Sequence, residues 1–297
     1  MFSKTSIYLS LFLIFTPIAA IAQISGQSAT KYGANPTVGK VFNHDGVKLY
    51  YEIYGTGEPL LIIHGNGASI WTLRAQINYF REKYKVIVMD SRDHGRSSDS
   101  PIALSFETMT DDLAALLDHL HVGPAYILGW SDGGIEALLL GMRHPETVKM
   151  IATMAANLDP SGVYPEVLAR SDAPAREISA DKTENLKAAR AQRVEQLDRN
   201  EPHINPEALR SITVPTLVLA GDHDIVIDEH TLLIYHHLPK SELVIFPGAT
   251  HMIPFDDPAL FNTTVDHFFS KPFVKTDRFL DTMQSYQKML ADFAAEK

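Results

Sequence analysis

From residue 38 onward the chain alternates short apolar runs with longer stretches of helical periodicity. The runs at 60–64, 85–89, 125–128, 148–154, 216–220 and 243–246 are rich in Val, Ile, Leu, Ala and Met, and most are bounded by turn residues. Runs that are apolar on both faces read as strands of a parallel sheet buried between two layers. Apolar positions three and four apart predict helices over 70–82, 106–121, 132–143, 228–238 and 257–269. Strand, helix, strand in succession implies right-handed crossovers and an α/β fold with a mostly parallel, doubly wound sheet. Ahead of these, Val41-Phe42 and Val47 to Tyr54 flank Asn43-His44-Asp45-Gly46. Asp-Gly between β-rich runs predicts a hairpin.

Two segments break this rhythm. Residues 157–211 are polar, charged and helical, for example over 184–197, with no strand candidate. An insertion of that size between sheet strands is expected to lie over one face as a helical cap. The tail, 271–297, carries an amphipathic stripe of Phe279, Leu280, Met283, Tyr286, Leu290 and Phe293, expected to pack on the core, with an interface or membrane contact as the alternative. The division that follows is a core over 38–156 and 212–270, a cap over 157–211, and a C-terminal helix within 271–297.

The first 22 residues are different in kind. Lys4, an apolar run from Ile7 to Ile18 and Ala20-Ile21-Ala22 have the form of a secretory signal peptide cut between Ala22 and Gln23. The apolar run is shorter than the roughly 20 residues of a membrane span, so cleavage and export to periplasm or medium are expected, with no stable membrane insertion afterwards. A polar segment, 23–37, then leads into the core.

Composition narrows the chemistry. With 45% hydrophobic and 21% charged residues the chain is globular in character. Its net charge of −10 comes without a basic cluster, which argues against a nucleic-acid partner. It has no Cys, hence no disulfide and no thiol nucleophile. No phosphate-binding glycine loop is present, so no nucleotide cofactor is expected.

The candidate chemistry sits just after the predicted strands. Gly129-Trp130-Ser131-Asp132-Gly133 matches G-x-S-x-G between a predicted strand and a predicted helix. Small residues are needed there because the strand-to-helix turn is too tight for side chains, and the strain lifts the serine hydroxyl clear of the sheet. Other strands end in His64-Gly65-Asn66-Gly67, in Asp90 to Ser97 with its Asp93-His94-Gly95-Arg96 turn, in Gly221-Asp222-His223-Asp224, and in Pro247 to His251. In an open parallel sheet such loops gather on one edge, so distant residues converge. The order Ser, acid, His suits nucleophilic catalysis. His251, in a Gly/Thr turn after the last strand, is the expected base, with His94 the competitor if its turn faces the site. Asp222-His223-Asp224 also offers metal-ligand types, but adjacent residues do not all point one way and no helix-borne ligand spacing exists; no metal is expected.

With these motifs on about residues 40–270, the chain resembles the α/β-hydrolase superfamily, and its Gly-Trp-Ser-Asp-Gly-Gly elbow is similar to that of biphenyl-hydrolase-like esterases. The resemblance implies a cap, a Ser131, His251 and Asp224 triad, and an oxyanion hole made of the Asn66 and Asp132 backbone N–H groups, with Gly67 the alternative to Asn66. His64 would brace the oxyanion loop. In such hydrolases the acid is the later carboxylate of a Gly-Asp-x-Asp turn, hence Asp224 rather than Asp222. The implied activity is cofactor-free hydrolysis of a small carboxylic ester, extending to thioesters, lactones or activated amides. Iminopeptidase-type amide cleavage, carbon–carbon bond hydrolysis, cofactor-free peroxidation and a non-enzymatic ligand receptor stand as alternatives. Neither acyl specificity nor oligomeric state follows from the sequence.

Overall fold

The computed structural model describes residues 30–170 and 182–295. The expected signal peptide, residues 23–29 of the polar segment and residues 171–181 of the expected cap lie outside them. The chain divides into Met1–Lys31 and Tyr32–Lys297, and the elements below belong to the second unit.

Eight strands form one sheet: β1 Lys40–His44, β2 Val47–Tyr54, β3 Glu58–Ile63, β4 Tyr84–Met89, β5 Ala125–Trp130, β6 Val148–Met154, β7 Thr216–His223 and β8 Ser241–Thr250, in the order β1-β2-β4-β3-β5-β6-β7-β8. From β4 to β8 every pairing is parallel, while β2 runs antiparallel to both β1 and β4. The hairpin joining β1 to β2 turns on Asp45 and Gly46, both at positive φ (43° and 77°), as a two-residue connection between twisted strands requires.

The helices follow from burial on both sides of this sheet. Along β3, Leu61 and Ile63 enter one apolar layer and Leu60 and Ile62 the other. The first layer is closed by α2 Phe106–His119, α3 Asp132–Arg143 and α6 Asp228–His237. The second is closed by α1 Arg74–Phe80 and α8 Pro258–Phe269. Helix α2 starts where Ser105 caps the Thr108 N–H and turns Phe106, Met109, Leu113, Leu116 and Leu117 to the sheet. A short helix, α7 Ile253–Asp256, sits between β8 and α8.

Three elements differ from the sequence reading. The 70–82 stretch splits into a 3₁₀ turn, Ile70–Leu73, and α1. Strand β8 runs well past 243–246, because an edge strand has one flank in water and no continuous apolar run. The largest correction is the tail. Helix α9, Arg278–Ala295, buries no residue, and Phe279 and Leu280 are 71% and 55% exposed. It does not pack on the core, whose two faces are already covered by α1, α8, α2, α3 and α6.

Between β6 and β7 the described chain holds a 3₁₀ turn, Pro160–Gly162, then α4 Pro165–Arg170, α5 Lys182–Asn200 and a second 3₁₀ turn, Pro206–Ser211. Val194 and Leu197 are the buried apolar residues of α5. The helix is held mainly by polar ties to the strand-end loops: Arg193 to Asp93 at 2.6 Å, Arg190 to Asp99, and Val194 C=O accepting from Asn66 Nδ2 at 2.9 Å.

Candidate active site

The turn from β5 to α3 is forced by its glycines. A Cβ on Gly129 would lie 1.9 Å from the Gly133 carbonyl oxygen, and one on Gly133 would lie 2.4 Å from that of Ile63. Only hydrogen fits at either point. Ser131 between them takes φ 58°, ψ −121°, a left-handed conformation that costs a non-glycine residue roughly 1–3 kcal/mol and is held by the surrounding sheet. Its N–H donates to Met154 C=O at 2.9 Å, tying the strained residue to β6. Gly65 lies opposite, where a Cβ would come within 2.9 Å of Ser131 Cβ.

Two more strand ends bring a histidine and a carboxylate together. His251 Nδ1 and Asp224 Oδ1 are 2.7 Å apart, with the Asp224 side chain fully buried. Asp224 also accepts from the Gly221 N–H (3.3 Å) and the Val226 N–H (3.2 Å), which fix its carboxylate in the turn after β7. The His251 carbonyl accepts from Trp130 Nε1 at 2.9 Å, and the two rings pack 5.4 Å apart, so the residue before Ser131 positions the histidine loop. Asp222 does something else. It is turned to the surface, meeting His223 Nδ1 at 2.8 Å and accepting from the Ala249 N–H at 3.1 Å; hydrogen bonds from that loop, first from Gly248, hold its pKa below the usual range. Asp222, His223 and Asp224 therefore diverge, and among the described residues no group of three such ligands converges on a point.

His94 is engaged at both nitrogens. Nδ1 donates to Arg92 C=O (2.9 Å), and Nε2 accepts from the Gly67 N–H (3.2 Å). His64 lies against it, rings 5.0 Å apart, donating to Gly65 C=O and accepting from the Ser91 N–H at 3.1 Å. Burial pushes both histidines down to about 4, so each is neutral near pH 7. The pair braces the loop 64–67 against the loop after β4. Because the Gly67 amide is taken by His94, the Asn66 amide is the one of the two that donates to no acceptor among the described residues. The Asp132 N–H, in the first turn of α3, is likewise unspent.

These residues share a cavity of about 180 Å³ lined by Asn66, Ser131, Asp132, His251 and residues of the segment after β6. Val163, Val167, Ile225 and Val226 form an apolar wall, and Glu195 and Asp198 of α5 contribute carboxyls. The Asp132 and Asp198 carboxyls face each other in the cavity, and the pKa of Asp132 is raised well above the ordinary range by burial, then by Asp198 and by Glu136 one turn along α3. Asp198 is also raised, by burial first. Two such groups in contact cannot both ionise, and they hold a proton between them. Glu136 is fully buried with neither oxygen hydrogen-bonded, and burial with Asp112 nearby raises its pKa well above the ordinary range.

The sequence reading singled out neither Asp198 nor the indole bond of Trp130. For Asp198 a weak signal existed: it lies one turn beyond Val194 and next to Leu197, on the inward face of α5.

Residues 58–173 match the α/β-hydrolase fold family. A 3-oxoadipate enol-lactonase of Acinetobacter baylyi is 28% identical over 254 residues, covering 74% of this chain and 92% of the relative. An sn-1-specific diacylglycerol lipase of Danio rerio is 27% identical over 264 residues, covering 75% and 82%. Among solved structures, an N-acyl homoserine lactone degrading enzyme superposes with a TM-score of 0.67 at 27% identity, covering 77% of this chain and all of that one. With sequence and fold agreeing across the sheet and its loops, the chain has the α/β-hydrolase fold and is a hydrolase.

Proposed function

We propose that the protein hydrolyses small carboxylic esters through an acyl-enzyme on Ser131. The observation that carries this reading is the 2.7 Å bond between His251 and buried Asp224, on a cavity that also exposes Ser131 at its strained turn. Asp224 holds His251 with its proton on Nδ1, leaving Nε2 to take the proton of the Ser131 hydroxyl as it attacks the ester carbonyl. The oxyanion rests on the Asn66 and Asp132 N–H groups, at which one lost donor raises the barrier by about 3 kcal/mol. His251 then protonates the departing alcohol, and water cleaves the acyl-enzyme by the same steps reversed.

The residues after β6 serve as the cap that selects the acyl group. Asp132, Glu195 and Asp198 with no Lys or Arg among the described lining residues disfavour substrates bearing a carboxylate, while the valine and isoleucine wall favours a short uncharged acyl chain. Lactones are the second class, supported by the lactone-cleaving names of two similar proteins. The form of residues 1–22 supports export of the mature chain from Gln23, which N-terminal sequencing of extracytoplasmic material checks.

The functional test is a p-nitrophenyl ester series from acetate to decanoate beside a lactone. Turnover highest on the short esters supports the reading. No turnover of any ester, with cleavage confined to an aminoacyl amide or a carbon–carbon substrate, contradicts it.

A further inference from the structure

Asn66 and Asp132 come from different loops, after β3 and β5, and nothing in the sheet obliges their side chains to meet. They do meet: Asn66 Nδ2 donates to Asp132 Oδ2 at 3.1 Å. Asp198 of α5 lines the same cavity, its carboxyl against that of Asp132 and beside Asn66. The same Asn66 Nδ2 donates to the Val194 carbonyl one turn back on α5. Helix α5 thus reaches both residues whose main-chain N–H groups would receive the oxyanion, through the Val194 carbonyl on Asn66 and the Asp198 carboxyl against Asp132.

We propose that Asp198 is a positioning residue: by its contact with Asp132, which the Asn66 side chain also holds, it aligns the two backbone N–H groups, so that seating of α5 and completion of the oxyanion hole are one event. This rests on the serine-hydrolase reading above. The alignment matters because an amide displaced by about 1 Å from the developing charge loses most of its catalytic effect, on the order of 100-fold in rate.

The linkage is also a source of pH dependence. The Asp132–Asp198 contact needs a proton between the two oxygens, and both groups are held above the usual carboxylate range, chiefly by burial. Around it lie Asn66 and Ser131, which do not titrate in this range, Glu136 of α3, Glu195 of α5, and His251 from the loop after β8. Burial raises the pKa of Glu136 well above the ordinary range, and His251 is the one residue among them able to carry positive charge. As pH rises the shared proton leaves, two buried anions face each other, and α5 is pushed from the loops. Turnover then falls on the alkaline side.

The experiment measures kcat and KM for p-nitrophenyl acetate from pH 5 to 10 in the full chain, its Asp198→Ala and its Asp198→Asn variants, with fluorophosphonate labelling of each. The expected result is that Asp198→Ala labels and folds but loses about 30-fold or more in kcat with KM within about threefold. Asp198→Asn, whose amide donates to the Asp132 carboxylate at every pH, should recover most of that kcat and lack the alkaline fall. A folded, labelled Asp198→Ala with wild-type kcat, or one impaired only in KM, overturns the positioning role and leaves the serine-hydrolase reading standing. So does an alkaline fall that is unchanged in Asp198→Asn. A wild-type protein that neither labels nor turns over ester overturns both.

Discussion

The loops at the ends of β5, β7 and β8 and the segment between β6 and β7 border the same cavity, yet they are held by different physics. Ser131, Asp224 and His251 are fixed through backbone: a turn with no room for a Cβ, N–H groups on a buried carboxylate, and an indole on the histidine's own carbonyl. The α5 helix is held through side chains, by arginine–aspartate pairs and by the Asn66, Asp132 and Asp198 contact. Backbone constraints have few alternatives, whereas a side-chain tie can be exchanged residue by residue. Conserving a reaction while varying what it acts on fits such a division: the proposed reacting groups are on the rigid part and the proposed selecting groups on the adjustable one.

The sharpest break of that comparison is Ser131→Ala. Removing the oxygen should lower ester turnover by at least about 10⁴-fold, with the thermal midpoint unchanged or raised because the strained turn loses little packing. Next is the pair of aspartates after β7. Asp224→Asn should lower kcat by on the order of 10³ to 10⁴-fold, since an amide neither holds the productive tautomer of His251 nor stabilises its cation, while Asp222→Asn should leave kcat near wild type. Steady-state kinetics on both, with circular dichroism to confirm folding, checks the assignment.

How far these roles were legible follows from the same division. The strands, the elbow and the strand-end loops could be read because each obeys a local rule: a buried parallel strand is an unbroken apolar run, and a tight turn needs small residues. Gly129, Ser131 and Gly133 announce themselves at two-residue spacing. Asp222 and Asp224 could not be separated by pattern, because which carboxylate faces His251 depends on the register shift between β7 and β8 past Gly221. Asp198 was hidden in a charged helix, where one inward acid looks like its solvated neighbours. The tail was misread for a related reason. Periodicity gives α9 an apolar face but cannot tell that both faces of the sheet are already covered.

Smaller effects sharpen the contrast within α5 itself. Arg193 pairs with Asp93, whose side chain is fully buried, so Arg193→Ala should cost about 2 kcal/mol by stranding that carboxylate. Arg190 and Asp99 are both partly exposed, and Arg190→Ala should cost less than about 1 kcal/mol. Urea unfolding at pH 7 measures both. The histidine brace gives a pH signature. His64 and His94 are held near 4 against 6.5 for an open histidine, so the unfolded chain takes up protons first as pH falls. Their contribution is therefore complete above about pH 6.5 and lost progressively toward pH 4, up to about 3 kcal/mol for each. Buried acids such as Asp90 and Asp132 act in the opposite sense, stabilising as pH falls. The readout is thus the difference between wild type and His94→Gln, which should shrink steadily from pH 7 to pH 4.

The most direct measurement is mass spectrometry of the full chain after reaction with a fluorophosphonate at neutral pH. One adduct is expected, on the peptide containing Ser131, formed rapidly in wild type, slowly in His251→Ala and not at all in Ser131→Ala. An active esterase that takes up no adduct on Ser131, or takes it up equally fast without His251, would contradict it.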